Sequence, residues 1–272
     1  MSAIIPGAKE RVRRDALPLS IFLIAKNEAA RLPIVLSAIS GLADEIVLVD
    51  SGSTDGTMDI ARAFGAKVIE AEWRGYGPQK RFAETQCRNR WVLNLDGDEE
   101  ATPELVREIR ALFASGEPPL DGYGFPIAHV EPGGNNPGHF AYAVSPVRLY
   151  NLDKGRYADS PVHDRVEMIP GATTGMLRGK VNHYSFASIS HCIAKLNQYS
   201  DQQVEDMADR ARQISGFRIW YEFPASFLKA YILRRHIFRG RFGLVASINY
   251  AFFRFMRIAK ALERRDRRDL PK

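Results

Sequence analysis

Trp91-Val92-Leu93-Asn94-Leu95-Asp96-Gly97-Asp98-Glu99-Glu100 is the stretch that decides the fold. It opens as a short, mostly apolar run, which suits a buried strand. It ends in Asp96-Gly97-Asp98. Two carboxylates one residue apart at the tip of a buried strand are costly unless something neutralises them. A hard divalent cation is the simplest neutraliser. Mg²⁺ or Mn²⁺ takes one or two protein carboxylates and completes its shell with water and substrate phosphates. Gly97 leaves room for the close approach of a ligand. The plainer alternative is a strand that ends in a solvated acidic turn.

Working outward, the segments upstream repeat the pattern. Leu19–Ala25 is a near-continuous apolar run, as in a buried parallel strand. Glu28–Leu42 carries Leu32, Val35, Leu36 and Ile39 at helical spacing, with Pro33 tolerated in the first turns. Glu45–Asp50 is a second strand, Thr57–Phe64 a short helix stopped by Gly65, and Lys67–Ala71 a third strand. Pro78–Arg90 makes a helix with proline at its start, and Pro103–Ser115 another after the central strand. Alternating strands and helices predict an α/β fold with an open, mostly parallel sheet and right-handed crossovers. Ligands bind such sheets outside the carboxyl ends of the strands. Lys26-Asn27-Glu28, Asp50–Gly56 and Asp96-Gly97-Asp98 all fall at that edge.

After Gly116 the pattern loosens into Pro/Gly clusters and short strand-like pieces at Tyr123–Ile127, Val147–Tyr150 and Val162–Met168. These predict an antiparallel extension with long loops, where a second substrate is gripped. Ser188–Arg212 is helix-like, and 217–262 hold two or three basic, aromatic-rich helices. The expected divisions are a lead-in over 1–18, a donor-binding half over 19–116, an acceptor half over 117–187 and a helical segment over 188–272.

The chain has 272 residues, 45% hydrophobic and 26% charged, as in an ordinary globular protein. Two cysteines, Cys87 and Cys192, are too few for a disulfide framework and fit a reducing, cytoplasmic compartment. Neither a secretory signal nor a run of 18 apolar residues is visible. The net charge of +6 is uneven: residues 229–272 hold 13 Lys+Arg against 3 Asp+Glu, so the rest sums to −4. That distribution argues against a nucleic-acid-binding body and for an anionic partner of the C-terminal segment.

Ile-Ala-Lys-Asn-Glu (24–28), Val-Asp-Ser-Gly-Ser-Thr-Asp-Gly-Thr (49–57) and Leu-Asp-Gly-Asp-Glu (95–99) together resemble glycosyltransferase family 2. The resemblance runs from about residue 19 to about 262. It implies a GT-A type fold and a nucleotide-sugar donor, with transfer usually by inversion. Gly75–Ala83, Ala158–Val166, His183-Tyr184-Ser185 and Phe227–Tyr231 resemble the bacterial lipopolysaccharide-core β-glucosyltransferase branch. That branch implies UDP-glucose, a lipid-linked glycan acceptor and a location on the inner face of the inner membrane. The branch commonly has His-Glu where this chain has His163-Asp164.

The resemblance places Ala25, Asn27, Glu28, Asp50 and Ser53 at the nucleoside. Carboxylates there accept from a uracil N–H or a ribose hydroxyl. Taken alone, Asp50 also suits a strand-end turn and Glu28 a first-turn charge. Lys80 can reach a phosphate as a point charge, or it can be a solvated lysine. Asp98 is the expected metal ligand, with Asp96 on the ribose or beside the metal, and His163 or His183 is left open as a further ligand. Direct displacement needs a base in the acceptor half to take the acceptor proton. Asp159, Asp164 and Glu167 are available. Asp164 is favoured by the match to the branch, with His163 or Arg165 beside it as a positive neighbour.

Phe238–Lys260 interleaves arginines with aromatics, which suits an anionic bilayer surface or a helix packed on the body. A nucleotidyltransferase or a dinucleotide oxidoreductase would need a glycine-rich loop after the first strand, and Ala25–Glu28 is not one. A glycoside hydrolase would use two carboxylates without metal. A non-catalytic membrane adaptor would not need Asp50, Asp96 and Asp98 intact. Gln-x-x-Arg-Trp is absent downstream of Asp98, which points to addition of a single sugar rather than chain growth.

Overall fold

The computed structural model describes residues 15–132, 134, 136–138, 141, 143–160, 164–185, 188–206 and 214–268. The chain forms two compact units, residues 1–129 with 143–184, and residues 130–142 with 185–272.

In the first unit, β1 (Leu17–Ala25), β2 (Ala43–Asp50), β3 (Lys67–Glu70) and β4 (Trp91–Asp96) pair in parallel. Helices α1 (Leu32–Ala38), α2 (Thr57–Ala63) and α3 (Tyr76–Thr85) connect them. After β4 come β5 (Glu99–Ala101), α4 (Pro103–Leu112), β6 (Gly122–Gly124), β7 (Ile127–His129), β8 (Ala143–Val144) and β9 (Val147–Asn151). They are followed by β10 (Gly155–Tyr157), β11 (Val166–Met168), β12 (Thr174–Met176) and β13 (Val181–His183). The seven-stranded sheet runs β12-β6-β9-β4-β1-β2-β3, with β9 antiparallel to both neighbours.

β1 alternates. Leu19, Ile21 and Leu23 pack toward α1 and α4, whereas Phe22 and Ile24 join Ala83 of α3, Tyr150 and Tyr157. Both faces of the strand are therefore dry, and its sequence is a continuous apolar run. The register sets Ala25 opposite Asp50 and Ile24 opposite Asp96. The polar clusters after β1, β2 and β4 thus share one sheet edge.

Several expected boundaries move. Leu17 already pairs with Ala43, so β1 starts inside the expected lead-in. The helix expected over 28–42 shortens to α1, because Asn27 takes a left-handed φ of 57° and Glu28–Arg31 form a turn closed by Leu32 N donating to Glu28 O at 2.8 Å. Gly41, at φ 70°, turns the chain into β2. The helix expected over 78–90 starts at Tyr76, after Gly75 at φ 99°, and ends at Thr85. Beyond it Asn89 is held outside the helix by its N–H donating to Ser20 Oγ at 3.1 Å. The strand expected over 123–127 is split by Phe125-Pro126 into β6 and β7, which lie in different sheets. Proline has no N–H for a ladder. Residue 116 separates no compact units, because β9 slots between β4 and β6 and joins the two expected halves.

A four-stranded sheet, β5-β13-β7-β8, sets His183 opposite both Glu99 and His129. The β10–β11 pair sets Tyr157 opposite Val166, and Ala158 N donates to Arg165 O at 2.9 Å.

The second unit is helical: α5 (Ile189–Asp206), α6 (Arg218–Leu228) and α7 (Gly240–Arg268), the last two joined by a π turn (Lys229–Leu233) and a 3₁₀ turn (His236–Arg239). Val204, Ile214, Ile258, Ala261 and Leu262 form its apolar core. Among the described residues, no helix is long and apolar enough to cross a membrane.

Candidate active site

The loops after β1 and β2 are laced together. Asn27 N donates to Ser53 Oγ at 2.8 Å, Thr54 N to Asn27 Oδ1 at 2.8 Å, and Glu28 N to Thr57 Oγ1 at 2.8 Å. Asp50 is fully buried. Its Oδ1 accepts from Gly52 N at 3.0 Å and Ser53 N at 2.7 Å, and its Oδ2 from Ser53 Oγ at 2.5 Å. In this conformation the Asp50 carboxylate holds its own loop instead of facing solvent. The Ala25 carbonyl accepts from Ser51 N at 3.0 Å, which ties β1 to the same loop. A Cβ on Gly97 would meet Glu28 Cγ at 3.1 Å and Ala25 Cβ at 3.6 Å, so glycine here lets Glu28 pack close over the Asp96–Asp98 turn.

The centre of the site is Lys80. It comes from α3 and is fully buried. Its ammonium lies 2.8 Å from Asp96 Oδ1 and 2.9 Å from Asp164 Oδ2. A buried lysine survives only if paired. Burial and the nearby Arg148 both work against its charge, yet Asp96, Tyr157 and Asp164 outweigh them and hold it above the ordinary lysine range. Burial likewise opposes the Asp96 charge, but Lys80 and then Arg148 bring its pKa down to about 2. Glu99, also buried, is pushed up by burial and by Asp96 beside it. Its Oε2 accepts from Asp96 N at 3.0 Å.

Beneath these groups lies a network that the sequence did not announce. Arg148, on β9, donates to Asn94 Oδ1 and, at 2.9 Å, to Tyr157 Oη. Its other nitrogen is 3.8 Å from both Asp96 and Glu99. Tyr157 Oη donates to Asn94 Oδ1 at 2.7 Å. One signal was available: Asn94 stands between Leu93 and Leu95, and Arg148 between Val147 and Leu149.

Asp98 is 6% exposed, and its Oδ1 lies 3.3 Å from His183 Nε2. Tyr184 N donates to Asp98 O at 2.9 Å and fixes this approach. The His129 ring lies against His183, with centroids 4.8 Å apart. Burial opposes the His183 charge, but Asp98, Glu99 and Asp96 raise its pKa above the usual value. The donor set fits a divalent cation of the Mg²⁺ or Mn²⁺ kind. Asp96 Oδ1 is buried and accepts no hydrogen bond, although the Lys80 ammonium is beside it. Asp98 and His183 add one oxygen and one nitrogen. Among the described residues no group of three or more His, Cys, Asp or Glu side chains is placed to hold a metal ion. A cation that completes its shell with phosphate and water needs only one or two protein carboxylates.

Of the three expected bases, Asp164 alone is brought to the cluster. Arg165 is not its positive neighbour: Arg165 pairs with Glu167 at 3.3 Å, and Lys80 takes that place. Glu167 and Asp159 are exposed. His163 lies outside the described residues.

Residues 20–178 match the profile described as Glycosyl transferase family 2. An uncharacterized glycosyltransferase of Rickettsia prowazekii is 39% identical over 250 residues, covering 89% of this chain and 86% of that protein. The lipopolysaccharide core biosynthesis glycosyltransferase LpsC of Rhizobium meliloti is 31% identical over 266 residues, covering 91% and 93%. A solved structure of glucosyl-3-phosphoglycerate synthase from Mycobacterium tuberculosis, with Mn²⁺ and UDP-glucose, is 26% identical over 47% of this chain and 49% of that one, with a TM-score of 0.35. By its profile match and by relatives that align along most of its length, the chain belongs to glycosyltransferase family 2.

Proposed function

We propose that this enzyme moves a single hexose, glucose from UDP-glucose, onto a lipopolysaccharide core or related lipid-linked glycan, by direct displacement with inversion. The observation that carries the reading is Lys80 holding Asp96, from the donor-side β4, and Asp164, from the β10–β11 segment, at 2.8 and 2.9 Å. Direct displacement needs donor-side and acceptor-side groups around one reacting centre, and the shared Lys80 contact of Asp96 and Asp164 supports that reading. The name of the LpsC relative supports the acceptor class.

In this mechanism the loops carrying Asn27, Glu28 and Ser53 bind the nucleoside, with Asp50 shaping the second of them. Asp98, with Asp96, would hold Mg²⁺ or Mn²⁺. That cation, when bound, supplies positive charge against the departing diphosphate. Lys80 positions Asp96 and Asp164 together. Asp164 accepts the proton from the acceptor hydroxyl as that oxygen attacks the anomeric carbon.

Core lipopolysaccharide from cells lacking this chain should be one hexose lighter, and the purified enzyme with UDP-glucose should restore the mass. With that core as acceptor, Asp164→Asn should lower kcat by about 10²–10⁴-fold, the usual cost of losing a general base. UDP affinity should change by less than about threefold, because only a transition-state interaction is removed. Normal turnover of Asp164→Asn beside a dead Asp159→Asn or Glu167→Gln would move the base elsewhere.

A further inference from the structure

The helical unit turns large apolar side chains outward. Phe217, just before α6, and Tyr221, Pro224 and Leu228 within it follow one another at helical spacing, with Trp220 beside them, and all are exposed. Trp220 is 78% exposed. The opposite stripe of α6, Ile219, Glu222 and Ser226, faces inward. Helical geometry places these two sets on opposite faces. The same division continues in α7, where Arg241, Leu244, Ile248 and Phe252 are exposed and Gly243, Ser247, Ala251 and Ile258 are buried.

The connector between them is exposed as well. Ile232 and Leu233 are exposed, Leu233 by 76%. The connector is a fixed element. The His236 carbonyl fills the space that a Cβ at Gly243 would need, and His236 Nδ1 lies 3.1 Å from Ser247 Oγ. Soluble surfaces scatter such residues singly and seldom gather them.

The charge on this stretch has one sign. Lys229, Arg234, Arg235 and Arg241 are exposed. Glu222 is the only acidic residue between 217 and 262. It is buried, bound by Arg218 Nε at 2.7 Å and Arg254 Nε at 2.8 Å. Nothing negative in the stretch therefore faces solvent. An apolar face with tryptophan and tyrosine, interleaved with cations alone, is complementary to the headgroup and acyl boundary of an anionic bilayer. A protein partner of mixed charge would not call for this one-sided pattern.

We infer that α6, its connector and the first half of α7 form an interfacial membrane-binding surface. Trp220, Ile232 and Leu233 insert at the acyl boundary, and Lys229 and Arg241 engage anionic headgroups.

The test uses the full chain with phosphatidylcholine vesicles, with and without phosphatidylglycerol. The chain should co-sediment with the anionic vesicles, and binding should weaken as salt rises. Lys229→Glu with Arg241→Glu should lower partitioning by about 20-fold or more, at about fivefold for each charge lost near the surface. Trp220→Ser with Ile232→Ser and Leu233→Ser should abolish binding. The conservative Trp220→Phe should keep binding and lose the blue shift of tryptophan emission that insertion produces. Equal binding to neutral and anionic vesicles at low salt overturns the inference, and so does binding that none of these variants alters. Absence of vesicle binding, together with a dimer that the triple-serine variant dissociates, assigns the surface to a second copy instead.

Discussion

Glu84 and Glu222 are both buried glutamates, one in each compact unit, and their environments push them in opposite directions. Glu84, on α3, accepts from Tyr150 Oη at 2.6 Å and Tyr157 N at 3.2 Å, with the Arg156 guanidinium 3.6 Å away. Burial outweighs these contacts and raises its pKa. Glu222 sits between two arginine side chains, which outweigh burial and lower its pKa. Glu84 lies deeper, and its hydrogen bonds come from a hydroxyl and an amide with a guanidinium only at 3.6 Å, whereas Glu222 is bound directly by two guanidiniums. The contrast extends through both units. Around the site, charges are drawn inward and linked through Lys80 and Arg148. In residues 217–262 of the helical unit, the one acid is cancelled internally and the exposed side chains include large apolar groups and cations.

The largest effect that should separate the two regions is on catalysis. Asp98→Asn should lower transfer by about 10²–10⁴-fold, because a bound cation contributes several kcal/mol of charge stabilisation. Calorimetry should show UDP binding that Mn²⁺ tightens in the wild type and no longer tightens in the variant. Near-normal turnover in Mn²⁺ buffer would detach Asp98 from the metal. The vesicle-binding variants of the helical unit, by contrast, should leave UDP affinity where it was.

A second effect is on stability. Arg148→Met leaves Asp96, Glu99, Asn94 and Tyr157 without their shared buried cation. Breaking a buried pair from one side costs about 3–5 kcal/mol. In the helical unit, Arg254→Met leaves Glu222 still bound by Arg218 at 2.7 Å. The loss there should be smaller, about 1–2 kcal/mol, as for one hydrogen bond to a charged group. Urea denaturation of both variants measures the pair. Equal losses would mean that Arg148 is no more central to its cluster than Arg254 is to its own.

What the sequence made legible follows from the range of the signals. The parallel strands and the polar clusters at their ends are local patterns, and the register of β1 with β2 and β4 brings them together. Lys80 was legible as a candidate but not as the centre, because its partner Asp164 is 84 residues away. Arg148, Asn94 and Tyr157 were missed because their meeting depends on β9 running antiparallel beside β4, which the alternating pattern upstream does not announce. His183 was left open because its place beside Asp98 depends on a separate sheet. The basic C-terminal segment was legible in charge, but the outward apolar face begins at Phe217, upstream of the expected Phe238, because burial and not composition decides which face of α6 shows.

The smallest effect is the most direct test of the two glutamates. A raised pKa in the fold means that folded Glu84 binds its proton more tightly than the unfolded chain does. Its contribution to stability is therefore full below the ordinary value of 4.5 and declines as pH rises through the higher folded value. Glu222 has the opposite sign. Its contribution is full above 4.5 and is lost as pH falls through the lower folded value. Glu84→Gln should therefore remove a decline in the urea midpoint on the rising side of that value. Glu222→Gln should remove a decline on the falling side. Measured in the intact chain between about pH 3 and 7, the two difference curves should slope in opposite directions. Parallel curves would mean that the arginines around Glu222 do not overcome its burial, and the contrast between the two units would then reduce to burial alone.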